Sequence, residues 1–115
     1  MKTIDTTVAL DREQLRDITL DDEELMREIL DALIDDTSRQ LVLLQSAIND
    51  EDTQRTMRLA HYSKGACANV GANAAAHVLK RIEQDAARRD FRECTTSLAS
   101  LVFEIDRLRS EIVTA

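Results

Sequence analysis

Two nitrogen bases, His61 and Lys64, stand three residues apart in a stretch with helical apolar spacing, and Gly65 follows directly. Neutral imidazole is a good nucleophile near neutral pH, because its unperturbed pKa is about 6.5. Attack on a phosphoryl group would leave a phosphoramidate carrying about two negative charges. A lysine one helical turn away can offset that charge by hydrogen bonding and Coulomb attraction. A glycine inside an exposed helix costs roughly 1 kcal/mol relative to alanine. This chain has only two glycines, Gly65 and Gly71, and one of them lies a turn from the histidine. Gly65 removes the side chain that would crowd the imidazole, and Ala68 extends the bare strip. Each feature alone is common on protein surfaces. Together they describe an imidazole with open approach and a cation beside it, which suits passing a phosphoryl group between proteins and needs no deep pocket.

Other chemistries find less support. His61, His77, Cys67 and Cys94 show no zinc-ligand spacing, so no metal and no intrinsic cofactor is expected. No glycine-rich phosphate loop is present, which argues against an ATP-using kinase. Two cysteines make no disulfide framework and fit buried thiols in a reducing compartment. His77 falls off the apolar stripe of its segment and is expected at the surface.

The elements that must position these residues follow from composition and period. The 115 residues suit one domain spanning 1–115. Proline is absent and only two glycines occur, so the turns of a sandwich or barrel cannot be built and an all-α fold is expected. Helices are expected over 11–18, 21–49, 51–69, 73–88 and 90–113. Asp11, Asp21 and Asp90 are the expected N-caps. Leu15 and Ile18 should face inward from the first helix. Leu30, Ile34, Thr37, Leu41, Leu44 and Ile48 form the stripe of the second. Ala75, Val78, Leu79, Ile82 and Ala86 line the fourth, and the fifth alternates threes and fours from Phe91 to Ile112. On a wheel of the third helix, Leu59, Ala66 and Val70 mark the core face, with Ala60 and Cys67 at its edge. His61 lies nearly opposite, with Met57, Arg58, Lys64 and Gly65 one turn away. Short connections favour an antiparallel four-helix bundle with a short additional N-terminal helix. The third and fourth helices should form a hairpin through Val70-Gly71-Ala72.

Net charge is −7, which argues against nucleic-acid binding. Residues 1–52 hold 5 Lys/Arg and 15 Asp/Glu, a net −10, whereas residues 53–92 hold 8 and 3, a net +5. The cationic segment contains His61 and would suit an acidic partner surface. No stretch approaches the roughly 20 apolar residues of a membrane span, and no signal-peptide run begins the chain. A soluble, cytoplasmic protein with no membrane association is expected.

The stretch Ala60-His61-Tyr62-Ser63-Lys64-Gly65-Ala66-Cys67-Ala68-Asn69-Val70-Gly71-Ala72 resembles the signature of histidine-containing phosphotransfer (HPt) domains of two-component phosphorelays. The resemblance implies that His61 accepts the phosphoryl group at Nε2, that Lys64 supports it and that Gly65 keeps access open. It implies a stoichiometric phosphocarrier, not an enzyme, and a monomer. Its partners would be receiver domains of response regulators and hybrid histidine kinases, the receiver supplying both the aspartate and Mg²⁺. Met57, Arg58, Tyr62 and Ala68 would form the docking surface. Two residues depart from the family pattern: Ser63 replaces the usual apolar residue on the core face, and Tyr62 is an unusual neighbour of the histidine. Glu83 takes a place where the family often carries glutamine or another polar residue. A carboxylate there would repel a phosphoryl group, so no direct role is expected for it. A receiver-binding adaptor or inhibitor without phosphotransfer would use the same features. A kinase-leading module is a further reading, disfavoured because no kinase domain follows.

Overall fold

The computed structural model describes residues 4–114 and contains five helices: α1 (Arg12–Thr19), α2 (Glu23–Asn49), α3 (Thr53–Val70), α4 (Asn73–Ala87) and α5 (Phe91–Thr114). Four helices begin at an aspartate whose carboxylate accepts from the amide three residues on. Asp11 accepts from Gln14, Asp22 from Leu25, Asp52 from Arg55 and Asp90 from Glu93, at 3.0–3.1 Å. Such a cap is worth about 1 kcal/mol. The second helix is capped by Asp22 and not, as its sequence suggested, by Asp21. Asp21 has φ +64°, whereas Asp22 has the extended backbone a cap needs.

Helices α2 to α5 close a bundle in which α3 packs on α2 and α4, and α5 packs on α2 and α4. α1 lies on α2 and α3, tied also to α5 by Arg12, which donates to the Glu111 carboxylate at 2.7 Å and to its carbonyl at 2.9 Å. The stripes of α2, α4 and α5 are buried as their spacing predicts, with Leu41 and Ile112 only partly covered. α1 departs from expectation. Leu15 is buried, but Ile18 is half exposed and Thr19 takes the inward place, its hydroxyl donating to the Leu15 carbonyl.

α3 departs further. Its buried line is Thr56, Ala60, Ser63 and Cys67, spaced 4, 3 and 4, while Leu59, Ala66 and Val70 are only partly covered. At about 100° per residue the true core face is turned by about 70° from the one centred on the larger apolar residues. Small side chains suit the middle of a helix wedged between two neighbours, and the packing of α3 on α4 is the most extensive in the bundle. Ser63 in that place has a visible consequence: among the described residues its Oγ, like those of Thr56 and Ser97, is buried without a hydrogen-bond partner.

The α3–α4 turn is fastened to the N-terminal segment. α4 starts at Ala72 with no side-chain cap. Instead, the Ala74 amide donates to the Val8 carbonyl at 3.0 Å, and the Asp11 amide donates to the Gly71 carbonyl at 2.8 Å. Gly71 ends α3 with φ +92°, and a Cβ there would sit 2.8 Å from the Asp11 carbonyl oxygen. Glycine is therefore required twice, for the left-handed backbone and for the close approach. Gly71→Ala should lose about 1–2 kcal/mol from backbone strain alone, with the Asp11 contact adding to it. Urea denaturation measures this, and an unchanged midpoint would contradict the role of the turn.

Candidate functional site

The rotation of α3 decides what surrounds His61. Lys64 and Met57 turn toward the bundle and are half buried, whereas His61, Arg58, Tyr62, Gly65 and Ala68 remain exposed. The expectation that Met57 is an exposed apolar residue is thus corrected: it packs against the core margin. The imidazole side chain retains 69% of its accessible surface.

From α4, Glu83 reaches both bases. Its Oε1 accepts from Lys64 Nζ at 2.8 Å, and its Oε2 lies 3.1 Å from His61 Nδ1. An ionised carboxylate can only accept, so the ring proton resides on Nδ1. In the neutral ring Nε2 then holds the lone pair. Among the described residues Nε2 has no hydrogen-bond partner. Glu83 thus contacts both bases, a placement that the sequence reading, which assigned it no direct role, did not foresee. The repulsion argument placed the carboxylate beside the phosphoryl group, whereas it faces the opposite nitrogen. The sequence signal for Glu83 was its position next to Ile82 on the α4 stripe, with two basic residues on the neighbouring helix lacking a counter-charge.

Burial alone would raise the Glu83 carboxyl. The Lys64 hydrogen bond, the lysine's charge and the contact with His61 outweigh that, so it titrates below its ordinary 4.5. A carboxylate lowered in the fold adds stability above its ordinary value and loses it as pH falls through the folded value. The bridge should therefore stay intact down to about its ordinary 4.5 and come apart only below it. NMR titration of the Glu83 carboxyl carbon and His61 Nδ1 checks this; release of Nδ1 well above that pH would contradict it.

An added Cβ at Gly65 meets nothing within 4 Å, so no packing contact demands glycine there. Gly65→Ala should raise stability by about 0.5–1 kcal/mol. A fall in the urea midpoint would show a structural role.

The predicted docking residues divide. Met57, Arg58 and Tyr62 line an open groove of about 440 Å³ with His61 and Glu83. Ala68 lies in a separate groove with Lys64, His77 and Lys80. His77 is exposed, as expected. Tyr62 donates its hydroxyl to Asp36 of α2 at 3.2 Å, which orients its ring beside the histidine. Cys67 and Cys94 are buried, and desolvation pushes both thiols up to about 11, so neither is a ready thiolate near neutral pH. Among the described residues no cluster of three or more His, Cys, Asp or Glu side chains could hold a metal ion, and no helix is long and apolar enough to cross a membrane.

Comparison with known proteins identifies the fold and the family. The fold is similar to the crystal structure of histidine-containing phosphotransfer protein B from Pseudomonas aeruginosa PAO1, with a TM-score of 0.84 and 24% sequence identity over 92% of each chain. No curated protein matches the chain in sequence. The model of the Hpt domain family matches residues 28–112, which take in α3, α4 and nearly all of α5. With the family match covering most of the bundle, the chain belongs to the Hpt domain family and is a phosphocarrier of phosphorelays.

Proposed function

We propose that His61 is the residue that carries the phosphoryl group, at Nε2, between receiver-domain aspartates. The observation that supports this most strongly is the Glu83 bridge, whose carboxylate accepts from Nδ1–H and leaves Nε2 without a partner among the described residues, on a ring that keeps 69% of its accessible surface. In the forward step the Nε2 lone pair attacks the phosphorus of a receiver aspartyl phosphate. The N–P bond forms, the P–O bond breaks, and the electron pair leaves with the aspartate carboxylate. The ring keeps its Nδ1 proton and becomes cationic, and the Glu83 carboxylate stabilises that charge. Lys64, one turn from His61, offsets the charge on the phosphoryl oxygens. Transfer onward to a second aspartate reverses each of these changes. Gly65 leaves the approach open for the partner's aspartate.

On this reading the protein turns over no substrate by itself and needs no cofactor of its own, since the receiver supplies aspartate and Mg²⁺. It acts as a cytoplasmic monomer with hybrid kinase and response-regulator receivers as partners. The groove of Met57, Arg58 and Tyr62 receives the receiver beside the histidine.

Incubation with phosphoramidate tests the reading, followed by intact mass and phosphorus NMR. The wild-type chain should gain one acid-labile, alkali-stable phosphoryl group, and His61→Ala should gain none while keeping its helical content. Glu83→Gln keeps an acceptor but loses the charge and should slow phosphorylation roughly tenfold, the equivalent of ~1.4 kcal/mol. Lys64→Ala should slow transfer or shorten the phosphohistidine lifetime. Phosphate retained by His61→Ala would assign the carrier elsewhere. A folded wild-type chain that accepts phosphate neither from phosphoramidate nor from a receiver would favour a binding-only adaptor.

A further inference from the structure

A second concave site lies between α1 and α2. It is a cleft of about 250 Å³ that shares no residue with the groove around His61. Its apolar lining comes from Leu15, Met26 and Leu30; Leu15 and Leu30 are almost wholly buried. Three arginines, Arg12, Arg16 and Arg27, complete the lining with Glu23. This clustering runs against the local composition. Residues 1–52 carry 15 carboxylates and only 5 Lys/Arg, yet three of those five meet at one cleft.

The three arginines are not equivalent. Arg12 is spent on Glu111, at 2.7 Å. Arg16 and Arg27 form no ion pair with any described residue, and neither does Glu23, the one carboxylate in the lining. The free charges of the cleft are thus two positive and one negative, which leaves a net +1. A guanidinium binds a carboxylate through two parallel N–H donors. Pockets of about 300–1,000 Å³ hold drug-sized ligands, so this one suits something smaller. From the two free forks, the net single positive charge and the apolar lining, we infer that the α1–α2 cleft is a binding site for a small amphiphilic carboxylate. The carboxylate head sits on Arg16 and Arg27, and a short hydrocarbon tail lies against the partly exposed Met26, above the buried Leu15 and Leu30. All the lining residues except Leu30 precede the segment matched by the Hpt family model.

Titration of the ¹⁵N-labelled full chain with sodium hexanoate tests the inference, with sodium acetate as the head-only probe and hexanol as the tail-only probe. Hexanoate should give saturating amide shifts confined to α1 and the first two turns of α2, and leave His61 unmoved. Acetate and hexanol should give no saturating shifts at the same concentrations. Arg16→Ala and Arg27→Ala should each weaken hexanoate binding by about tenfold, the loss of one charge-assisted contact. Both residues are exposed and unpaired, so the bundle should persist in the variants, which circular dichroism verifies. Arg16→Lys and Arg27→Lys keep the charge but lose the fork and should fall between. No saturation with hexanoate, an equal response to hexanol, or undiminished binding in the double alanine variant would overturn the inference. None of these readouts depends on phosphate chemistry at His61.

Discussion

The site depends on one carboxylate serving two bases. Glu83 holds Lys64 through one oxygen and His61 through the other. Without it the imidazole would rotate freely and choose its own tautomer, and a half-buried ammonium would lack its counter-charge. With it, the proton stays on the nitrogen that faces the protein and the lone pair on the one that faces solvent. On the proposed reading, the same carboxylate then meets the positive charge that phosphorylation places on the ring. Electrostatic preorganisation of this kind costs no rearrangement at the moment of transfer.

The bridge spans two helices, so it is only as precise as the α3–α4 register. That register is set at the turn, where Gly71 takes a left-handed backbone beneath Asp11 and the Val8 carbonyl satisfies an α4 amide that no side chain caps. The N-terminal segment therefore contributes to the site without touching it. Its backbone locks the hairpin, and α1, clamped to Glu111 by Arg12, holds that segment in place. The reactive surface can stay exposed because rigidity comes from below. A buried line of small residues lets α3 settle between α2 and α4, while Gly65 keeps the outer face bare.

Much of this was legible in the sequence. The stripes of α2, α4 and α5 alternate threes and fours, and their burial follows. The aspartate caps announce most helix starts, and the resemblance carried by the whole stretch from Ala60 to Ala72 pointed to the Hpt family. The misses share a physical cause, the override of local pattern by tertiary packing. Leu59 and Val70 are the branched aliphatic residues of α3, so a wheel centres on them; close packing instead selected Thr56, Ala60, Ser63 and Cys67. That turn of about 70° at 100° per residue hid Glu83, because it is what swings Lys64 toward α4. Asp21 has the residue type of a cap but the wrong backbone, and the chain uses Asp22. The pairing of Val8 and Asp11 with the α3–α4 turn is a long-range backbone contact that no local pattern encodes.

The most direct test of this account is the tautomer of His61, read from long-range ¹H–¹⁵N NMR correlations of its ring near neutral pH. Free histidine favours the proton on Nε2. The account predicts the reverse for His61, with Nδ1 protonated and Nε2 bare, and a return to the free-histidine preference in Glu83→Ala. A wild-type ring protonated at Nε2, or one unchanged by the loss of Glu83, would contradict it.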